Sequence, residues 1–259
     1  MRACSRGFER HQRACRQTIL PLCFAALVLA ACSERTDRPD REQTDAASGG
    51  GAAQTAKAQT MPEEGILAPG RYSTGEEFEP SFSFELGEGW RALSTSGPYS
   101  LELGYITPGT DVAEGKALRF LNVREVYEPG EEEGEVSFES KPTPEDPVAW
   151  FQRHPYLTTD EPEPVDIGGA AGQRLEAEVN VPEGYRSDHG SGCALPCVPL
   201  FRLGGDSVTH ITEKGKDRFA FLEDIQGETV VIIVSAPVVE FDEFLPKAQN
   251  VLDTVEWES

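Results

Sequence analysis

The residues best suited to chemistry lie in one loop that is rich in glycine and proline. Its sequence, DHGSGCALPC, places His189, Cys193 and Cys197 four positions apart. The two thiols could form a small disulfide that stiffens the loop. With His189 they could instead bind Cu(I) or Zn(II), using Asp188 or His210 as a further ligand. A reactive redox pair is the third alternative, although the sequence predicts neither a helix start nor a nearby lysine to activate a thiol.

The other histidines of the domain give no sign of catalysis. The sequence contains neither G-x-S-x-G nor H-E-x-x-H, and neither His154 nor His210 lies beside a recognisable nucleophile. His154 precedes Pro155 at a predicted helix end, where we expect it to interact with the last helix carbonyls. We therefore expect a protein that is not an enzyme and has no cofactor, with an unrecognised hydrolase as the alternative.

The first 31 residues have the pattern of a signal peptide. Arginines crowd the start, and residues 18–31 follow without a charge; these 14 residues are fewer than the roughly 20 of a typical membrane-spanning helix. The segment ends in Leu29-Ala30-Ala31-Cys32, small residues before a cysteine. This ending resembles the lipobox of bacterial lipoproteins. The alternative is an ordinary secretory signal followed by a cysteine that carries no lipid.

The lipobox resemblance implies an anchor and a location. It implies cleavage after Ala31 and a diacylglyceryl group on Cys32, usually with an added acyl chain such as palmitate. Each buried methylene contributes about 0.8 kcal/mol, so two or more chains give stable anchoring. We therefore expect the mature chain on the extracytoplasmic face of the cell membrane, held there by its lipid. That compartment is oxidising, which favours a disulfide between Cys193 and Cys197 over the metal and redox alternatives.

A strong negative charge belongs to the exported part of the chain. The full sequence has 23 Lys and Arg against 45 Asp and Glu, a net charge of -22. Residues 1–31 contain five arginines and one glutamate, so the rest has 18 basic and 44 acidic residues, a net charge of -26. Such a surface repels the phosphates of nucleic acids, and we expect no nucleic-acid partner. The glutamates between Glu125 and Glu139 lack the ligand pattern of a calcium loop.

The exported sequence divides into a linker and one domain. Residues 33–60 contain no Val, Ile, Leu, Phe, Tyr or Trp, so they cannot bury enough apolar area to offset their ordering entropy. With the lipidated Cys32 they form a predicted disordered linker, 32–60. Residues 61–259 form a single predicted α+β domain, which is long enough to bury a core without a disulfide framework.

Short β-type patterns between glycines and prolines predict that strands dominate this domain. A run of five β-branched residues starting at Val230 predicts a central strand that is covered on both faces. Gly168-Gly169 predicts the turn of a hairpin. The predicted strands cover 71–74, 81–86, 99–106, 117–127, 163–167, 173–179, 200–203, 218–223, 229–235 and 251–257.

Two helices complete the predicted domain. Asp146 is a good N-cap and Pro147 suits the first helical position, so we expect a helix from Pro147 to His154 that Pro155 ends. A second helix is predicted near the end of the chain by four apolar residues at helical spacing, Phe241, Phe244, Leu245 and Ala248.

This order of elements resembles the PsbP-like fold, on the segments 146–151, 164–172 and 251–257. The resemblance implies an α+β fold, mainly antiparallel β-sheet with two short helices. Members of that fold serve mostly as binding or assembly modules. Together with the lipobox, the linker and the missing catalytic groups, this resemblance implies a lipid-anchored, extracytoplasmic binding or assembly module of the bacterial cell envelope, whose partner is an envelope protein or a small ligand. The alternative is a lipoprotein that handles copper or zinc through His189, Cys193 and Cys197.

Overall fold

Antiparallel strands dominate the computed structural model, which describes residues 57–95, 97–107, 115–130, 137–185, 196–204 and 207–258. These residues form two α-helices, α1 (Pro147–Gln152) and α2 (Phe241–Leu252). They also form seventeen strands, in chain order β1 (Gln59–Thr60), β2 (Gly65–Ile66), β3 (Gly70–Ser73), β4 (Phe82–Leu86), β5 (Trp90–Thr95), β6 (Ser100–Tyr105), β7 (Ala117–Asn122), β8 (Glu125–Pro129), β9 (Phe138–Pro142), β10 (Leu157–Thr159), β11 (Glu163–Ile167), β12 (Ala170–Val179), β13 (Cys197–Arg202), β14 (Val208–Thr212), β15 (Gly215–Ile225), β16 (Glu228–Pro237) and β17 (Glu256–Trp257). No helix in these described ranges is long and apolar enough to cross a lipid bilayer.

The described strands form three sheets. The central sheet has nine strands in the order β10-β12-β15-β16-β7-β6-β5-β2, with β11 paired to β12. Two further sheets have four strands each, in the orders β1-β3-β4-β17 and β14-β13-β8-β9. Apart from the parallel pair β1 and β3, the described pairs are antiparallel. The predicted combination of a mainly antiparallel sheet with two helices is therefore confirmed.

Strand β16 is the central strand that its β-branched residues predicted. It lies between β15 and β7, and its side chains are buried from the third residue to the ninth. Successive side chains of a strand point to opposite faces of the sheet. Ile232 and Val234 therefore join one hydrophobic core, and Val231 and Ile233 join another.

Each face of the central sheet is covered by one helix. Phe241 and Phe244 of α2 lie in the first core, together with residues of β3 and β4. In the second core, Phe151 of α1 packs on Phe219 and Phe201, with ring centroids 4.5 and 6.4 Å apart. The sheet β14-β13-β8-β9 also contributes to this second core. We call the two sides of the central sheet the α2 face and the α1 face.

The start of α1 agrees with the prediction, and its end comes slightly earlier. Asp146 Oδ1 accepts a backbone N–H of the first turn at 2.8 Å, and Pro147 is the first helical residue. The helix ends at Gln152, two residues before the predicted end. Beyond it, the N–H of His154 donates to the carbonyl of Phe151 at 3.1 Å, a tighter turn that closes the helix.

The predicted hairpin is present as β11 and β12. Gly168 and Gly169 have φ values of 64° and 81°, which a two-residue turn of this kind requires. Asp166 Oδ1 accepts the N–H of Gly169 at 3.1 Å and supports the turn. The local glycine pair therefore sets the pairing of the two strands.

The predicted strand 117–127 is wrong as one element, because it is split into β7 and β8. The N–H of Val123 donates to the carbonyl of Thr229 in the central sheet at 3.1 Å. The next N–H, that of Arg124, donates to the carbonyl of Arg202 in β13 at 3.2 Å. Two consecutive N–H groups thus donate hydrogen bonds to different sheets, and the chain passes from one sheet to the other at this point.

Two boundaries near the chain ends also differ from the predictions. The predicted strand 251–257 begins as helix, because Val251 and Leu252 are buried on the inner side of α2. Only Glu256–Trp257 pairs with β4. At the other end, Gln59–Thr60 pairs with β3, so strand pairing begins two residues before the predicted domain boundary at Met61.

Candidate functional site

The residues predicted to carry chemistry fall mostly outside the described ranges. Cys32, His189 and Cys193 lie outside them. Cys197 is described; it starts β13, is 2% exposed, and stands opposite Thr212 of β14. The disulfide and the metal site therefore stay predictions. In the described part of the chain, no group of three or more His, Cys, Asp or Glu side chains is placed to hold a metal ion.

The predicted capping role of His154 is wrong. The side chain is buried against the rings of Trp150 and Tyr156, at centroid distances of 5.8 and 5.9 Å. Its Nδ1 accepts the backbone N–H of Tyr156 at 3.3 Å, so the ring contacts the residues after the helix end instead of the last carbonyls. Burial lowers the pKa of His154 to about 4, which keeps the ring neutral near pH 7.

A row of polar side chains crosses four adjacent strands on the α1 face. This face carries Glu102 of β6, Arg119 of β7, Ser235 of β16 and Asp217 of β15. The last three lie in phase with residues of their own strands that enter the second core, and Glu102 stands opposite Arg119 in the sheet. Arg119 Nε donates to Glu102 Oε1 at 2.9 Å, and its Nη1 donates to Ser235 Oγ at 3.2 Å. Ser235 Oγ in turn donates to Asp217 Oδ1. We call these four residues the polar row.

Asp217, at the end of the polar row, is a buried carboxylate without a cationic partner. Its side chain is 4% exposed, and no Lys, Arg or His of the described residues forms an ion pair with it. Burial raises the pKa of Asp217 to about 6; the hydrogen bond from Ser235 and the positive charge of Arg119 lower that pKa and offset only part of the effect. Asp217 Oδ2 receives no hydrogen bond in the described structure.

A cleft of about 340 Å³ opens over the polar row. Asp217, Ser235 and Arg119 line it from the central sheet, while His210 and Thr212 line it from β14. These two walls belong to different sheets, because the chain leaves one sheet after β14 and enters the central sheet at β15. We call this space the Asp217 cleft.

Three oxygen atoms converge beside Gly215 in the wall of the Asp217 cleft. A Cβ atom built on Gly215 would lie 3.7 Å from Asp217 Oδ2, 3.7 Å from the carbonyl oxygen of Thr212, and 3.8 Å from Thr212 Oγ1. All three oxygens can accept hydrogen bonds. The missing side chain of Gly215 therefore leaves a space that is bordered by acceptors.

The sequence carries one signal for this site, which belongs to no chemical motif. In β15, Asp217 lies in phase with Phe219 and Phe221, which point into the second core. In β16, Ser235 lies in phase with Ile233 in the same way. A polar residue in the buried phase of a strand is unusual unless it has a partner, and two of them on neighbouring strands indicate a buried polar pair.

A second cleft runs between α2 and strands β5 and β6, with a volume of about 360 Å³. Trp90, Tyr105 and Lys247 line it, and Lys247 Nζ lies 5.4 Å from the centre of the Tyr105 ring. The adjoining buried Lys116 is satisfied, because its Nζ donates to Glu240 Oε2 at 2.6 Å. We call this space the α2 cleft. Since the buried charge next to the α2 cleft is paired, we take the Asp217 cleft as the candidate site.

The comparisons with known proteins found similarity to solved structures alone. The sequence matches no protein-family model, and the search of curated proteins found no match. The solution structure of cyanobacterial PsbP (CyanoP) from Synechocystis sp. PCC 6803 is 14% identical, with 75% of this chain and 95% of that chain covered and a TM-score of 0.38.

The crystal structure of LpqN, described as involved in cell envelope biogenesis of Mycobacterium tuberculosis, is 12% identical; 74% of this chain and 93% of that chain are covered, with a TM-score of 0.39. Both TM-scores lie below 0.5. Membership of the PsbP-like fold therefore stays a prediction, and no function is transferred from either protein.

Proposed function

We propose that the protein is a lipid-anchored, extracytoplasmic binding module of the bacterial cell envelope, and that its ligand binds in the Asp217 cleft. The lipobox-like residues before Cys32, the apolar-poor linker 32–60 and the PsbP-like order of elements support the anchor and the envelope location. The site itself is supported by one observation: a buried carboxylate with an open oxygen forms part of the wall of a cleft.

An unpaired buried charge is energetically costly. Removing a carboxylate from water without a cation or a full set of hydrogen bonds destabilises the folded state. A protein with only a structural task gains nothing from such a group, whereas a ligand can supply the missing partner. Perturbed carboxyl groups that line a cleft are typical of functional sites for this reason.

The polar row supports binding better than catalysis. Ser235 Oγ accepts a hydrogen bond from Arg119 and donates one to Asp217, so the hydroxyl group is held in place by two neighbours. No described hydrogen bond joins it to an imidazole that could act as a general base. We therefore propose a protein that is not an enzyme, and metal handling at His189, Cys193 and Cys197 stays the alternative.

Labelling and mass spectrometry test the anchor. Cells that express the full chain are grown with labelled palmitate, and the same is done with Cys32→Ser. We expect label and membrane association in the unchanged protein and neither in the variant. An unlabelled protein with its first 31 residues intact would contradict the proposed anchor and location.

Native mass spectrometry of the protein released from its own membranes tests the ligand site. We expect a bound small molecule in the unchanged protein and none in Gly215→Leu, whose side chain fills the cleft beside Asp217 Oδ2. Gly87→Leu is the matched control, since Gly87 lines the α2 cleft and has open space around it. A ligand that is lost only in Gly87→Leu would place the site in the α2 cleft and contradict the proposal.

A further inference from the structure

The oxygens around Gly215 point to the charge of the ligand. We propose that the Asp217 cleft binds a small organic ammonium ion, with the ammonium group on Asp217 Oδ2 and its carbon chain along the apolar part of the cleft. This inference rests on the proposed function, because it assumes that the cleft is a ligand site. It adds the chemical class of the ligand and the conditions under which binding occurs.

The acceptors beside Gly215 equal in number the donors of a primary ammonium group. A primary ammonium carries three N–H donors and no acceptor. Three acceptors border the space beside Gly215, namely Asp217 Oδ2, the carbonyl oxygen of Thr212 and Thr212 Oγ1. A charge-assisted hydrogen bond to the carboxylate would be the strongest of the three. The site therefore offers one acceptor for each donor of the ligand.

The charges around the cleft favour a cation over an anion. Arg119 is already neutralised by Glu102, with 2.9 Å between Nε and Oε1, and its Nη1 is bonded to Ser235. The polar row therefore carries one uncompensated negative charge when Asp217 is ionised. Lys214, in the turn after β14, lines the cleft but is exposed and forms no ion pair with Asp217. An anionic ligand would have to approach a buried carboxylate of the same sign.

The lining of the cleft favours an organic cation over a metal ion. Pro237 supplies the accessible apolar surface for a short carbon chain, whereas the side chains of Ile211 and Ala236 are buried in the second and the first core. Hard metal ions such as calcium take six or more oxygen ligands, often from several carboxylates. Asp217 is the one carboxylate among the described residues that line this cleft.

The ionised form of Asp217 is the binding form, so affinity should depend on pH. The pKa of Asp217 is raised to about 6 by burial, so the carboxylate is mostly ionised at pH 7.5 and mostly protonated at pH 5.0. This change alone weakens binding by about tenfold between the two pH values. The other charged or titratable groups that line this cleft are Arg119, His210 and Lys214, and Glu102 forms an ion pair with Arg119. A protonated His210 would also weaken the binding of a cation, so its contribution must be separated from that of Asp217.

The experiment uses n-butylammonium as the probe and n-butanol as its neutral counterpart. The full chain, purified from expressing cells in a neutral detergent with 150 mM salt, is titrated while amide NMR signals are followed. We expect saturable shifts at Gly215, Asp217 and Ser235 with n-butylammonium at pH 7.5 and none with n-butanol. Affinity should fall about tenfold at pH 5.0. In His210→Gln most of this fall should remain.

Two matched variants separate this site from general attraction to an acidic surface. Asp217→Asn should lose the saturable shifts. Asp224→Asn makes the same chemical change on the same strand, at an exposed residue with a φ of 57° that asparagine tolerates well, and should keep them. Equal binding by both variants would overturn the proposal.

Two further outcomes would also overturn the ammonium assignment. Saturable binding of n-butyrate that strengthens at pH 5.0 would make the cleft a carboxylate site. If neither probe binds while a native ligand is still lost from Gly215→Leu, the binding function stands and the assignment to an ammonium ligand is wrong. Loss of the ligand only in Gly87→Leu would instead contradict the proposed function itself.

Discussion

Two carboxylates on neighbouring strands of the central sheet have opposite surroundings. Glu176 of β12 lies on the α2 face, where it accepts Lys216 Nζ at 2.6 Å and Arg218 Nε at 3.1 Å. Asp217 stands between these two cations in the sequence but is paired with neither. The alternation of β15 sends Lys216 and Arg218 to one face and Asp217 to the other. A charge next to another in sequence is therefore no evidence of an ion pair in a strand.

As a result, the pKa values of the two carboxyl groups are shifted in opposite directions. Partial burial raises the pKa of Glu176, but the hydrogen bonds and charges of Lys216 and Arg218 outweigh this and hold that pKa below its ordinary value. The pKa of Asp217 is raised to about 6 because its burial is only partly offset by the hydrogen bond from Ser235 and the charge of Arg119. The ion pairs of Glu176 thus stabilise the fold. The charge of Asp217, in contrast, can be neutralised by a proton or by a ligand.

The largest expected effect is a gain of stability when Asp217 becomes neutral. Below pH 3.8, the reference pKa of Asp, the carboxyl is protonated in both the folded and the unfolded chain; between pH 3.8 and about 6 only the folded chain keeps the proton. Stability therefore falls as pH rises through this window. Asp217→Asn should raise the free energy of unfolding by about 3 kcal/mol at pH 8 and leave it nearly unchanged at pH 3.5.

Denaturant unfolding of both proteins at the two pH values checks this prediction. His154, whose pKa burial lowers to about 4, titrates in both proteins, so the difference between them isolates Asp217. A destabilised Asp217→Asn at pH 8 would show that the carboxylate has a stabilising partner, and the contrast with Glu176 would fail.

A smaller loss is expected from Ser235→Ala. The hydroxyl of Ser235 donates to Asp217 Oδ1 and thereby lowers the pKa of this carboxyl. Without it, the ionised folded state should lose about 2 kcal/mol at pH 8, a typical value for a hydrogen bond to a charged group. The loss should be smaller at pH 4, where Asp217 is protonated. Equal losses at both pH values would mean that Ser235 matters only for packing.

On the opposite face, Glu176→Gln should destabilise the protein by about 1 kcal/mol, because its ion pairs are partly exposed to solvent. The pKa of Glu176 is lowered, so its contribution is present above pH 4.5 and is lost as pH falls. The pH trend is therefore opposite to that of Asp217. Urea unfolding with and without 1 M salt measures the effect, and a loss that salt does not reduce would argue against an electrostatic origin.

The smallest effect is expected for Asp224→Asn. Asp224 is exposed on β15, and asparagine tolerates its φ of 57°. The free energy of unfolding should stay within about 0.5 kcal/mol at both pH values. A gain at pH 8 comparable with that of Asp217→Asn would mean that relief of the overall negative charge, and not the burial of Asp217, explains the first prediction.

Local patterns in the sequence predicted the elements but not the site. The β-branched run from Val230, the cap at Asp146 and the Gly168-Gly169 turn act over a few residues, and the structure contains each element where they placed it. The sheet change at Val123 depends on distant carbonyls, so no local pattern marks it. The Asp217 cleft lies between β14 and β15, which belong to different sheets, so no local pattern marks it either.

A carbon-13 NMR titration of the Asp217 carboxyl tests whether this buried group is unpaired in the free protein and paired by a bound cation. The signal is followed from pH 3 to pH 8, first without a ligand and then with saturating n-butylammonium. We expect a midpoint near pH 6 without the probe and a lower midpoint with it, since a bound cation favours the ionised form. A midpoint at or below 3.8, or one that the probe leaves unchanged, would contradict it.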